Sequence, residues 1–162
     1  RYPVTWSKVL RNIYKIDNGP DNLVAWFAYT VTAYNVCHMP DFMKWKLSDS
    51  NLRKFNSTTR RPIITHHMAH MPHHLNVQVL PAPVKEMITG KFDDFVEWVK
   101  ERGLPEHVVT QASSIRHSVC SYMNSVDTHS KYWKEFTDFT TKIDRIRGQN
   151  VLTIFPELEK WM

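Results

Sequence analysis

The densest group of chemically active side chains in this sequence is a run of five histidines, His66, His67, His70, His73 and His74. His66 and His70 are four positions apart, a spacing that places two imidazoles on one helical face as zinc ligands require. No Asp or Glu lies between Ser57 and Pro83, so the stretch has neither a carboxylate ligand nor a local general base. Pro72 would also break a helix that aligned all five rings.

We therefore interpret the stretch as a polar connector that leads into a strand, and we assign no metal ligands. A specific metal site and adventitious binding of nickel or zinc are the alternatives. The two cysteines, Cys37 and Cys120, lie far apart inside apolar patterns, so they form neither a disulfide framework nor a metal knuckle. Free cysteines fit a reducing compartment.

Composition indicates one cytoplasmic protein of about domain size. With 162 residues and 42% apolar residues, the chain can build a core. The longest apolar stretch, Leu23 to Tyr29, is shorter than the roughly 20 residues that cross a bilayer, and nothing near Arg1 resembles a signal peptide. The net charge of +5 comes from dispersed Lys and Arg, which favours a solvated basic surface over a nucleic-acid footprint.

The first half predicts alternating helices and strands. A helix is expected from Thr5 to Ile16, a buried strand within Leu23 to Tyr34, and a second helix from Pro40 to Leu47. A loop from Ser48 to Arg61 follows, and Leu75 to Leu80 is expected as the second strand. The order predicts that the two strands are parallel neighbours joined by a right-handed crossover.

The second half predicts helices alone, so helical content should exceed strand content at least twofold. Apolar spacing indicates three helices, over residues 84–102, 106–123 and 132–146, the last ending at Gly148, and a short closing segment. We expect a βαβ segment over residues 1–83 and a helical subdomain over 84–162. Two parallel strands make a poor sheet alone, so further strands are expected from elsewhere. The opening at Arg1, without an initiator Met, fits a fragment or processed product.

Four stretches together resemble the C-terminal portion of radical S-adenosylmethionine proteins of the twitch-domain type. They are RYPVTW from Arg1, TVTAYN from Thr30, LNVQVLPAPVK from Leu75 and IDRIRGQNVLTIFPEL from Ile143. The resemblance implies an α/β fold that is the second half of a partial (β/α) barrel with parallel strands, followed by a mainly helical C-terminal subdomain. It also implies an N-terminal half whose CxxxCxxC loop holds a [4Fe–4S] cluster, with one iron left open for S-adenosylmethionine.

The resemblance further implies four cofactor-binding residues in this chain, each with an ordinary structural alternative. Arg1 would contact the cofactor's carboxylate or be a solvated terminal residue. Thr32 and Asn35 would lie at the C-terminal end of the first strand, where barrel sites are built, or be a strand hydroxyl and a turn residue. Leu80 would pack on adenine or be a core leucine.

The cysteine count limits the chemistry of this chain by itself. Two thiols cannot supply the three thiolates of the cluster, so we expect no catalysis and at best millimolar cofactor affinity without a missing N-terminal half or partner chain. The alternative function is a small basic binding or assembly protein, for instance a viral one, that does no chemistry and has a protein or nucleic-acid partner. The substrate is not encoded in any readable motif.

Overall fold

The computed structural model describes residues 4–49 and 52–162, and within them the fold is α/β and mainly helical. Helices make up 61% of the described chain, which confirms the expected excess of helix over strand. In chain order the elements are α1 (Trp6–Asp17), β1 (Ala28–Val31), α2 (Met39–Ser48), β2 (Thr65–Met68), α3 (Ala82–Glu101), α4 (Glu106–Ser125) and α5 (His129–Arg147). Short 3₁₀ turns cover Val36–His38, His73–Leu75, Val77–Val79, Val151–Thr153 and Pro156–Leu158.

The helix ends follow from local sequence. The Thr5 side chain accepts a hydrogen bond from the Lys8 backbone N–H and caps α1, while Pro40 lies in the first turn of α2. Gly148 ends α5 in the left-handed region, with φ at 59°, where a side chain would be strained. The predicted helices are therefore confirmed, with ends that differ by a few residues.

The sheet has two parallel strands, but its second strand is not the predicted one. β1 pairs with β2 from Ala28 opposite Thr65 to Val31 opposite Met68. The prediction of a strand at Leu75–Leu80 is wrong, because these residues form two 3₁₀ turns, and the Asn76 side chain fixes one of them by accepting from the Gln78 N–H. Val77 and Val79 are buried, so the alternating pattern correctly indicated which side chains are buried, but the backbone that buries them is a 3₁₀ turn and not a strand.

One main hydrophobic core joins the sheet layer to the helices. It includes Val31 and Met43 from the first half and Phe92, Phe136 and Phe155 from the second, all of them buried. A smaller cluster of Ile13, Leu52 and Phe55 lies under α1. The domain boundary at residue 83 stays a prediction.

Two buried charged side chains hold the polar loop between α2 and β2. The Asp17 carboxylate accepts hydrogen bonds from the backbone N–H groups of Arg53, Lys54 and Phe55. The Lys46 ammonium donates to the Ser57 hydroxyl and to two backbone carbonyls, those of Pro62 and Ile63. Burial lowers the pKa of Lys46 to about 8. The stretch that the sequence predicted as a loop is therefore held in one conformation by hydrogen bonds to Asp17 and Lys46.

Candidate functional site

The strongest candidate site lies at the sheet, and its first part is the turn that follows β1. The Asn35 side-chain oxygen accepts from the Thr32 backbone N–H at 2.8 Å, and its amide nitrogen donates to the Thr30 carbonyl at 2.9 Å. The Tyr29 hydroxyl donates to the Asn35 carbonyl at 2.9 Å. Thr32 and Asn35 thus lie together at the C-terminal end of β1, where the sequence predicted them. The Asn35 amide is used to close its own turn, as the structural alternative for this residue proposed.

Of the other two predicted cofactor residues, Leu80 is among the described residues. Leu80 is fully buried in the main core, so contact with a ligand would require the core to open. Arg1 lies outside the described residues. The turn alone therefore offers one half-exposed threonine and one engaged amide, and the cofactor roles of all four residues stay predictions.

The thiols of this chain do not fit an iron–sulfur cluster. Cys37 and Cys120 are both free and buried, and burial raises the pKa of both thiols, which disfavours the thiolate that binds iron. Lys91 Nζ donates to Cys37 Sγ at 3.2 Å and only partly offsets that effect. Across residues 4–49 and 52–162 no group of three His, Cys, Asp or Glu side chains is placed to hold a metal ion.

The five histidines do not form one cluster, because His66 and His70 contact α4 whereas His73 and His74 contact α5. On α4, Ser118 Oγ lies 3.0 Å from His66 Nε2, and the Tyr122 hydroxyl lies 2.9 Å from His70 Nδ1. Burial and the neighbouring His67 lower the pKa of His66. These contacts place the first histidines at the seam between the sheet and α4.

The later histidines contact α5 instead. His74 is buried, and its Nδ1 lies 2.8 Å from Glu135 Oε1. The His73 ring stacks on Tyr132, with ring centroids 5.0 Å apart. The interpretation of the whole stretch as a connector was wrong in one respect, because His66 and His67 belong to β2 itself.

A short hydrogen-bond chain contacts His70, a residue that the sequence analysis placed in a polar connector, with a metal site as one alternative. Asn76 Nδ2 donates to the Tyr122 hydroxyl oxygen at 2.7 Å, and the same hydroxyl lies within hydrogen-bond distance of His70 Nδ1, at 2.9 Å. His70 is exposed and follows β2 by two residues, so both strands end beside a polar side chain. The pairing of Tyr122 with His70 spans 52 residues and had no local sequence signal.

The second part of the site is the open edge of β1. The Phe27 carbonyl accepts from the N–H of Thr65 in β2, and the Val31 carbonyl accepts from the N–H of Ala69, the residue that follows β2. The backbone groups of Ala28 therefore point the other way, as do those of Thr30. In the part of the chain that the structure describes, no strand pairs with that edge, and only the Thr30 carbonyl is covered, by the Asn35 amide.

Apolar side chains are exposed next to that edge. Leu23, Val24 and Trp26, in the segment that leads into β1, are 40%, 56% and 54% exposed. The next residue, Phe27, is half-buried and stacks on Phe55. The sequence predicted burial for this whole segment, whereas the structure leaves one side of it exposed.

Comparisons with protein-family models, with curated proteins and with solved structures found no match to this chain. Among the described residues, no helix has the length and apolar character that crossing a membrane requires.

Proposed function

We propose that this chain is the C-terminal portion of a twitch-type radical S-adenosylmethionine enzyme, and that it contributes the second half of a partial (β/α) barrel. A cysteine-bearing N-terminal part then adds a parallel strand to the open edge of β1. The observation that carries the proposal is that edge, which no strand of the described residues pairs with, beside the exposed apolar side chains of Leu23, Val24 and Trp26.

The physical argument rests on how parallel sheets are stabilised. They occur with both faces covered and with several strands, because a parallel pair alone buries too little apolar surface. Within residues 4–49 and 52–162, β1 has a neighbouring strand on one edge only, and Trp26 is more than half exposed. A strand added to β1, with its connecting helix, would satisfy the backbone groups and cover these side chains.

The proposal divides the work between the two parts. The cluster would belong entirely to the cysteine-bearing part. It needs three thiolates, and this chain has two cysteines, Cys37 and Cys120, which are both buried. This chain supplies the polar side chains at the strand ends, Thr32, Asn35 and His70, at the edge of a parallel sheet where such proteins bind their ligands. The iron–sulfur cluster that would bind the cofactor's amino and carboxylate groups would lie on the cysteine-bearing part.

The test compares the 162-residue chain with the native polypeptide that carries the cysteine-bearing part. Amide hydrogen exchange should be fast at Ala28 and Thr30 in the 162-residue chain and slow in the longer polypeptide, which should also bind iron. Ala28→Pro removes an N–H that faces away from β2, so the Thr30 N–H should lose its protection in the longer polypeptide. The matched variant Ala28→Thr keeps the N–H, and Thr30 should stay protected. A native polypeptide without a cysteine triad, or with fast exchange at both residues, would contradict the proposal.

The alternative, a non-catalytic binding or assembly protein, is favoured by a separate observation. The Asn35 amide and the Leu80 side chain, two of the residues assigned to the cofactor, are used within the chain's own fold. Under this alternative the edge of β1 receives the strand of a protein partner, exchange at Ala28 and Thr30 slows, and the complex contains no iron. Iron content therefore distinguishes the two functions.

A further inference from the structure

A cleft of about 630 Å³ lies between the turn after β1 and the C-terminal half of α5. Its apolar walls are formed by the Tyr34 ring and by five aliphatic or aromatic side chains, those of Val4, Phe139, Ile143, Val151 and Ile154. Phe139 is 36% and Ile154 is 62% exposed. The volume lies in the range of small-molecule sites, and the walls leave apolar surface for a ligand to cover.

A fixed pair of hydroxyl groups lies in this cleft. Thr140 Oγ1 donates to the Phe136 carbonyl at 2.6 Å, so the Tyr34 hydroxyl, 2.6 Å from Thr140 Oγ1, is the donor of that second bond. Burial raises the pKa of Tyr34, while Asp144 raises it further and Arg147 lowers it. Both charges therefore act at the same hydroxyl, and polar groups converge here in a cleft whose lining is mainly apolar.

The backbone around Gly148 holds the Asp144 side chain in place. Asp144 Oδ2 accepts from the Val151 N–H at 2.7 Å, and the Asp144 carbonyl accepts from the Gln149 N–H at 3.0 Å. Asp144 and Arg147 are three residues apart on α5, so they lie on one side of the helix, and both line the cleft. The cleft thus combines one anion, one cation and an apolar wall in a rigid frame.

We propose that this cleft binds a small zwitterion, a free α-amino acid with an apolar side chain. The ligand carboxylate would contact the Arg147 guanidinium, whose planar fork matches a carboxylate, and the ligand ammonium would contact Asp144. The side chain would cover Phe139, Ile143 and Ile154. The inference goes beyond the proposed function and does not depend on it, because the cleft lies within this chain.

The first experiment titrates the 162-residue chain with L-phenylalanine, L-leucine and L-methionine by calorimetry. At least one should bind, and its two analogues that lack one charge, the methyl ester and the deaminated acid, should each bind about tenfold more weakly or worse. Equal binding of an amino acid and both analogues would show a merely apolar cleft. No binding of any of the three amino acids would also overturn the proposal.

Matched variants then locate the site. Arg147→Gln should weaken amino-acid binding about tenfold, while Arg145→Gln, an exposed arginine on the same helix that does not line the cleft, should leave it unchanged. If Arg147→Gln lowers folding stability, Ile154→Ser is the second variant, and Ile146→Ser, 69% exposed and outside the cleft lining, is its control. Equal losses in a variant and its control would place the binding elsewhere.

Discussion

Two regions of the molecule behave in the opposite way to what their composition suggests. They are the polar loop between α2 and β2, which is held by buried side chains, and the apolar segment before β1, which is largely exposed. The loop contains many Ser, Asn, Thr and Arg residues, yet the buried Asp17 and Lys46 side chains make seven hydrogen bonds to residues 53–63, six to backbone groups and one to the Ser57 hydroxyl. The segment from Leu23 to Trp26 is apolar, yet the side chains of Leu23, Val24 and Trp26 are exposed. The comparison shows that the polar groups of the loop find hydrogen-bond partners within this chain, whereas the apolar side chains before β1 do not find a covering surface among the described residues.

The largest expected effect is at Asp17. Asp17→Ala leaves the N–H groups of Arg53, Lys54 and Phe55 without their acceptor, so we expect a loss of about 3 kcal/mol in the free energy of unfolding. The control is Asp21→Ala, because Asp21 is almost fully exposed and its ion pair with Arg53 at 3.7 Å contributes little. Urea denaturation of both variants checks the difference, and similar losses would show that Asp17 does not hold the loop.

The next effect is a pH dependence that comes from Lys46. Its pKa is about 8 in the folded protein and near its ordinary 10.5 in the unfolded chain, so between these values the unfolded chain binds more protons. Stability should therefore rise with pH, by about 1.5 kcal/mol from pH 8 to 9.5. Burial of the cysteines acts in the opposite direction in this range, because their raised pKa values favour the protonated folded state.

The measurement for Lys46 is accordingly a difference between two proteins. Lys46→Met keeps both cysteines, so subtracting its unfolding free energy from that of the wild type at each pH isolates the lysine. The free energy of unfolding of the wild type, minus that of the variant, should increase as the pH rises from 8 to 9.5. A difference that stays constant, or that shrinks, would mean that the hydrogen bonds to Ser57 and the two carbonyls hold the ammonium form more strongly than burial disfavours it.

A smaller effect is expected at Asn35, in the turn that follows β1. Asn35→Ala removes the bonds to the Thr32 N–H and the Thr30 carbonyl, and we expect stability to fall by about 1 kcal/mol. Calorimetric titration of the 162-residue chain with S-adenosylmethionine should show at best millimolar affinity, roughly -4 kcal/mol, in wild type and variant alike. Unchanged stability together with weakened binding would make Asn35 a cofactor contact rather than a turn residue.

The sequence predicted those parts of the fold that depend on local signals. Thr5 and Gly148 marked helix ends, and the strand before Asn35 placed that residue at the edge of the sheet. β2 was missed because Thr-His-His-Met carries no alternation of apolar and polar residues, and it is a strand through its pairing with β1. The contacts of His70 with Tyr122 and of Tyr34 with Thr140 span 52 and 106 residues, so no local pattern could predict them.

The smallest effect on stability is expected at the exposed edge itself. Trp26 is 54% exposed, whereas its neighbour Phe27 packs on Phe42 and Phe55. Trp26→Lys should therefore change the free energy of unfolding by less than about 0.5 kcal/mol, while Phe27→Ala should cost about 3 kcal/mol. The lysine should also reduce self-association of the 162-residue chain, because a charge beside an open strand edge opposes edge-to-edge pairing. Sedimentation over a concentration series measures that change. If Trp26→Lys destabilises the chain as much as Phe27→Ala, the tryptophan is packed within this chain, and the edge of β1 is not an incomplete surface.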